Sequence, residues 1–164
     1  MNPLFPFVFL LMNFPTLAQI QSKAFKATID ALNAETVPYL SVAQLKATPN
    51  AVLLDTRAKA EFDVSHLPGA RWVGYDDFDL SRVRDIPKTA PLVVYCSVSY
   101  RSEKVGEKLL AAGYKNVRNL YGSLFEWVNQ GYPVVGPDGK PTNRVHGYNR
   151  VWGVWLTKGE KVYE

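Results

Sequence analysis

Val93-Val94-Tyr95-Cys96-Ser97-Val98-Ser99-Tyr100-Arg101-Ser102 begins as an apolar run and becomes, at one cysteine, a polar turn. The run extends back through Pro91 and Leu92 without alternating with polar residues, which is the pattern of a strand buried on both faces. Ala51-Val52-Leu53-Leu54-Asp55 has the same character, set between the Pro49-Asn50 turn and charged residues. Two such strands imply a parallel sheet covered by helices. Downstream, Val105, Leu109 and Ala112 share one helical face and Glu103, Lys104, Glu107 and Lys108 the other. The segment Ser102 to Ala112 therefore reads as a helix, stopped by Gly113. Cys96 then lies at the carboxyl end of a central strand, where an open α/β sheet places its ligands.

Shorter elements fill in around this unit. Val37 to Leu40 is a strand candidate, and Ser41 can cap a helix through Lys46. Ala58 to Phe62 fits a helix, His66 to Ala70 a turn, Arg71 to Val73 and Val117 to Leu120 strands, and Ser123 to Asn129 a helix with Leu124, Trp127 and Val128 facing inward. Residues 19–36 read as a lead-in, amphipathic or loosely ordered, and 37–135 as the α/β domain. From Gly136 to Glu164 the chain turns Trp-rich. Trp152 and Trp155 before the Lys158-Gly159 turn predict a terminal β-hairpin packed on the domain, with a mobile tail carrying an aromatic docking surface as the alternative.

The composition limits what this chain can be. With 164 residues, 47% of them hydrophobic, it can form one domain with a real core. Its net charge of +4 is spread without long like-charge runs, which speaks against a nucleic-acid partner and for a mild field favouring small anions. The first 22 residues carry no charged side chain. Leu4 to Met12 is an apolar run of signal-peptide length, too short to span a membrane, and Thr16-Leu17-Ala18 offers small residues for cleavage before Gln19. Residues 1–18 are therefore expected to be a signal peptide, the mature chain to be periplasmic or secreted, and no stable membrane insertion to remain after cleavage. One cysteine leaves no intramolecular disulfide to form. The two histidines show no zinc-type spacing, so neither a metal nor another cofactor is expected.

The chemistry therefore centres on Cys96. A loop that runs from a strand into a helix start turns successive amides inward, and the helix start adds partial positive charge, so an anion is stabilised there. Thiolate is the nucleophilic form of cysteine. Ser97, Ser99 and Ser102 add hydroxyls, and Arg101 a forked cation. The contrasting reading is an inert buried cysteine at a strand end.

Four segments carry a more specific signal. They are Leu54-Asp55-Thr56-Arg57; Glu61-Phe62 through His66-Leu67-Pro68-Gly69-Ala70; the loop Tyr95 to Ser102; and Leu120-Tyr121-Gly122-Ser123 through Trp127 to Gly131-Tyr132-Pro133-Val134. In this order the chain resembles the rhodanese family over roughly residues 37 to 135. The resemblance implies an open parallel sheet with helices on both faces and a sulfurtransferase activity. Cys96 would take a sulfane sulfur from a small anionic donor such as thiosulfate, hold it as a persulfide, and pass it to a thiophilic acceptor such as cyanide or a thiol. Ser97, Val98, Ser99, Tyr100, Arg101 and Ser102 would form the cradle, with Arg101 on the donor. Asp55 and Arg57 would brace the loop, the alternative for them being an ordinary surface ion pair. His66 is expected to be a turn residue held by a hydrogen bond.

Two positions depart from the family pattern. Ser99 stands where many active members have glycine, so the loop is either strained or differently shaped, and Ser65 replaces the first glycine of the Gly-His-[Ile/Leu]-Pro-Gly-Ala segment. Related phosphatases have five residues between Cys and Arg. Here only Ser97, Val98, Ser99 and Tyr100 intervene, a smaller cradle suited to one extra sulfur. A non-catalytic module using the same scaffold is the remaining alternative.

Overall fold

The computed structural model describes residues 22–163. The leader and its cleavage point after Ala18 lie outside the described residues. The elements are α1 (Lys23–Leu32), β1 (Tyr39–Leu40), α2 (Val42–Lys46), β2 (Val52–Asp55), α3 (Lys59–Val64), β3 (Arg71–Trp72), β4 (Pro91–Tyr95), α4 (Tyr100–Ala111), β5 (Asn116–Leu120), α5 (Ser123–Asn129), β6 (Val134–Val135), β7 (Pro141–Thr142), β8 (Arg144–His146) and β9 (Glu160–Val162). Two 3-10 helices, Leu80–Val83 and Trp152–Trp155, complete them.

Five strands form one parallel sheet in the order β1-β5-β4-β2-β3. The pleat of β4 divides the core in two. Val93 and Tyr95 point into a cluster with Phe25, Ile29, Val42, Leu45, Leu124 and Phe125, while Leu92 and Val94 join Leu54, Val105, Leu109 and Val117. Helices α1, α2 and α5 thus cover one face and α4 the other, so the unbroken apolar runs of β2 and β4 have the physical cause expected of doubly covered strands. Gly106 lets α4 approach the loop before β1: an added Cβ would lie 2.9 Å from Val37 Cγ2.

Of the two readings of the lead-in, the amphipathic one describes α1. Ser22 Oγ accepts the Phe25 amide at 3.2 Å, capping α1, and Phe25 and Ile29, one turn apart, are both buried. A ten-residue helix is marginal on its own. Two fully buried apolar side chains contribute roughly 1.5–3 kcal/mol each, which is what fixes this helix on the domain.

A C-terminal hairpin is present, but it joins the end of the domain to the start of the extension rather than flanking the Lys158-Gly159 turn. The antiparallel pair is β6 with β7, closed over Gly136 to Lys140. The tryptophan stretch instead forms the second 3-10 helix, and the flanking β8 and β9 pair in parallel. Asn149 decides this locally: its Oδ1 accepts the amides of Val151 and Trp152, both at 3.0 Å, and its carbonyl accepts that of Gly153. Gly153 is needed because a Cβ there would lie 2.5 Å from the Tyr163 hydroxyl. The extension is docked by buried Val145 and Leu156, by Trp155 stacked on Phe25 with centroids 5.4 Å apart, and by Asn129, which bonds Trp155 O and Thr157 N.

Candidate active site

Cys96 follows the last residue of β4, and its loop leads directly into α4. The loop is held mainly by the chain around α5. Ser123 Oγ accepts the Cys96 amide at 3.1 Å, while the amides of Leu124 and Phe125 donate to the carbonyls of Cys96 and Ser97. The loop's peptide planes are therefore set by the first turn of a second helix. Ser123 adopts φ 51°, directly after Gly122 at φ 75°, and this left-handed turn brings its hydroxyl under the cysteine.

Ser99 resolves the question raised by the missing glycine. It has φ 84°, so the loop keeps the left-handed geometry and is strained. That geometry costs a non-glycine residue roughly 1–2 kcal/mol. The side chain offsets part of this: Ser99 Oγ donates to Leu120 O at 3.0 Å and accepts the Gly122 amide at 2.9 Å. Its carbonyl accepts from Asn119 Nδ2 and from the Glu103 amide, with Ser102 Oγ 3.1 Å away. Ser99 and Ser102 are thus wholly buried and hold the loop from beneath. Ser65, the other departure, has φ −171°, an extended backbone that any residue adopts.

Arg101 occupies a different setting from the free cation expected of a donor-binding residue. Its Nη1 and Nη2 donate to the two Glu61 carboxylate oxygens at 2.6 and 2.8 Å, and Nη2 also reaches Ser97 Oγ at 3.2 Å. The two side chains are 16% and 4% exposed, so this pair is screened far less than a surface one. Burial pushes Glu61 up, but the hydrogen bonds and charge of Arg101, with Arg57 behind it, hold it below the ordinary carboxylate range. For Arg101 burial favours the neutral form, yet Glu61 and Cys96 outweigh it and keep the guanidinium charged. The guanidinium also lies over the Tyr148 ring, 4.9 Å from its centroid.

Asp55 and Arg57 form no surface pair: both side chains are 0% exposed. Arg57 Nε and Nη2 grip the Asp55 carboxylate, and Nη2 continues to Ser65 O at 2.6 Å. The pair thereby ties the end of β2 to the C-terminus of α3, the helix that carries Glu61. Asp55 stands beside Tyr95 in the sheet, and Thr56 bonds Tyr95 O. One polar chain thus runs from β2 through α3 and Glu61 to Arg101. His66 packs on Phe62 and places Nδ1 3.0 Å from the Phe62 carbonyl, as a turn residue.

A pocket of about 240 Å³ reaches buried Cys96. Among the described residues it is lined by Leu32, Cys96, Ser97, Val98, Tyr100, Arg101, Tyr148 and Trp152. Cys96, Ser97, Val98, Tyr100 and Arg101 thus meet at one pocket, while Ser99 and Ser102 lie buried beneath it. No described cluster of three or more His, Cys, Asp and Glu side chains could hold a metal ion.

A family model for the rhodanese-like domain matches residues 40–130. The chain belongs to this family. A sulfurtransferase from Allochromatium vinosum is 32% identical over 96 residues, covering 58% of this chain and 89% of that protein. The adenylyltransferase and sulfurtransferase UBA4 of Meyerozyma guilliermondii is 33% identical over 87 residues, covering 48% of this chain but 20% of that longer protein. The fold matches the rhodanese-like domain of the Anabaena Alr3790 protein with a TM-score of 0.56 at 24% identity, over 60% of this chain and 79% of that one. Sulfurtransferase relatives support a rhodanese-type sulfur transfer.

Nothing local in the sequence places Glu61, Ser123, Asn119, Leu32 or Tyr148 at this site, and Trp152 is expected only in a terminal hairpin or docking surface. A glutamate in the first turn of α3, bonded to the Ala58 amide at 2.9 Å, gives a local signal for capping only. Nothing local pairs it with an arginine forty residues away. The three wall residues lie outside the segment that the family model matches.

Proposed function

We propose that this chain is a sulfurtransferase that carries one sulfane sulfur as a persulfide on Cys96. The reading rests on one observation: the only cysteine stands at the carboxyl end of β4, ahead of the α4 N-terminus, at a pocket open to a small molecule. With thiosulfate as donor, the Cys96 thiolate attacks the outer sulfur. The new S–S bond forms on Cys96, the old one breaks, and its electron pair leaves with sulfite, so three negative charges stand on each side. Cyanide or a thiolate then attacks the terminal sulfur, forming thiocyanate or a new persulfide and returning the Cys96 thiolate. The first-turn amides of α4, which have no partners within the helix, favour the anionic sulfur. The Glu61–Arg101 pair fixes the loop's far side. We further propose that the protein acts after export, cleaved after Ala18; the native protein's N-terminus, read by sequencing, should be Gln19, and an intact Met1 would overturn this.

Intact mass after incubation with thiosulfate tests the persulfide. The expected result is a gain of one sulfur, lost on adding cyanide and absent in Cys96→Ser, whose melting temperature should stay near that of the wild type. A hydroxyl satisfies the loop but cannot attack sulfane sulfur as a thiolate does. Sulfur transfer at the wild-type level in Cys96→Ser would end this reading, and no mass gain with any donor would favour a binding-only scaffold.

A further inference from the structure

We propose that the donor suited to this site is an organic thiosulfonate, a monoanion whose sulfane sulfur is bonded to a sulfonyl sulfur that carries an apolar group such as an aryl ring, and that Tyr148 and Trp152 select it. The inference rests on the sulfur-transfer reading above. Arg101 is the one charged side chain among the described residues that line the pocket, and Glu61 already matches its charge in a two-pronged pair. A compact inorganic dianion entering here finds helix and loop dipoles but no unmatched cation for its second charge. Removing such an ion from water costs several kcal/mol without a partner. A monoanion whose charge sits on the sulfane sulfur needs only those dipoles.

The remainder of the lining suits an apolar group. Leu32, Val98, Tyr100, Tyr148 and Trp152 surround the approach to Cys96. At about 240 Å³ the space is smaller than the roughly 300–1,000 Å³ typical of drug-sized ligands and fits a molecule with one ring. The wall is held in place from several directions. Tyr148 has φ 64°, a strained conformation for an aromatic residue, and its ring is left exposed at the pocket. Its amide donates to His146 Nδ1 at 3.0 Å, and its ring lies beneath Arg101. Trp152 is oriented by the Asn149 cap, and the Phe25–Trp155 stack locks the extension to α1, the helix that carries Leu32. Local strain of this kind persists where the surroundings hold it, and such sites concentrate around bound ligands.

With a thiosulfonate R–SO₂–S⁻, the Cys96 thiolate attacks the sulfane sulfur and forms the persulfide. The bond to the sulfonyl sulfur breaks, and its electrons leave with the sulfinate R–SO₂⁻. Two negative charges stand on each side, and R rests against the aromatic wall throughout.

Benzenethiosulfonate and methanethiosulfonate carry the same charge and each release a sulfinate, so the ratio of their kcat/KM in the wild type, set against the same ratio in wall variants, isolates the wall. The wild type should prefer the phenyl compound by roughly tenfold or more, the scale at which apolar pockets discriminate. The preference should fall toward the ratio at which a small free thiolate uses the two donors in Trp152→Ala and in Tyr148→Gly, where glycine accepts the positive φ without strain. Equal use of both donors by the wild type would overturn the proposal while leaving sulfur transfer intact. An unchanged preference in both variants would also overturn it. Failure of either donor, and of thiosulfate, to load Cys96 would instead bring down the sulfur-transfer reading itself.

Discussion

Beneath Cys96 the side chains are polar, buried and paired: Asp55 with Arg57, Glu61 with Arg101, Ser99 and Ser123 with backbone groups. Beside Cys96 they are apolar and largely aromatic, with Leu32 from α1 and Tyr148 and Trp152 from the C-terminal extension joining Val98 and Tyr100 of the loop and α4. The floor lies wholly within the segment matched by the rhodanese-like model, whereas Leu32, Tyr148 and Trp152 of the wall lie outside it. Buried ionic groups tolerate little change, because removing one partner strands the other. Aromatic surface packed around a cavity can change its shape at smaller cost. The difference suggests a division of labour in which the floor fixes how sulfur is handled and the wall fixes which donor arrives.

If the floor also holds the fold together, its fully buried pair should give the largest stability effect. Arg57→Met leaves the Asp55 carboxylate without its cation and Ser65 O without a donor. We expect a loss of about 3–5 kcal/mol in urea unfolding, the scale for breaking a buried pair. A loss below about 1 kcal/mol, the scale of a surface pair, would mean that this pair does not brace the loop. The Trp152→Ala protein, measured alongside, should lose less.

Glu61→Gln sharpens the comparison through charge. Without the carboxylate, Arg101 faces the pocket as an unmatched cation, so kcat/KM for thiosulfate should rise relative to benzenethiosulfonate. An unchanged ratio would show that Glu61 does not set donor charge. The same variant tests a pH effect. Because the folded protein holds Glu61 below its ordinary value of 4.5, its contribution to stability is complete above that pH. It is lost as pH falls from 4.5 through the lower folded value, as the carboxylate takes up its proton. Unfolding midpoints measured across that window should lose part of their slope in Glu61→Gln, and an identical slope would mean that another group titrates.

The smallest effect is expected at Ser99→Gly. Glycine relieves left-handed strain of roughly 1–2 kcal/mol but gives up hydrogen bonds to Leu120 O and Gly122 N, each worth about 0.5–1.5 kcal/mol. Stability should stay within about 1 kcal/mol of the wild type, since the opposing terms are of equal size. A large loss would show that the serine hydroxyl, more than the backbone shape, keeps the loop closed. Differential scanning calorimetry reads either result.

Much of the floor was legible because its signals are local. The runs at β2 and β4 were unbroken because both sheet faces are covered, and α4 ended at Gly113 because its φ of 89° suits glycine. Cys96 at a strand end before a helix start follows from the order of residues alone. The partner of Arg101 did not follow, since Glu61 is brought to it only when α3 packs beside the loop. Nor did the buried state of Asp55 and Arg57, whose neighbours in space come from β4 and the end of α3.

The extension marks where local reading fails. Its tryptophans suggested strands, yet an asparagine cap and the packing of Tyr163 on Gly153 make a 3-10 helix there. The lead-in could be read as amphipathic or as loosely ordered because a ten-residue helix depends on what it packs against. The sequence by itself determined the sheet, the cysteine at its carboxyl end and the loop that follows, since periodicity and turn chemistry act over a few residues. Only the tertiary structure decided the ion pairing around that cysteine and the wall it faces, because both arise from contacts between segments far apart in the chain.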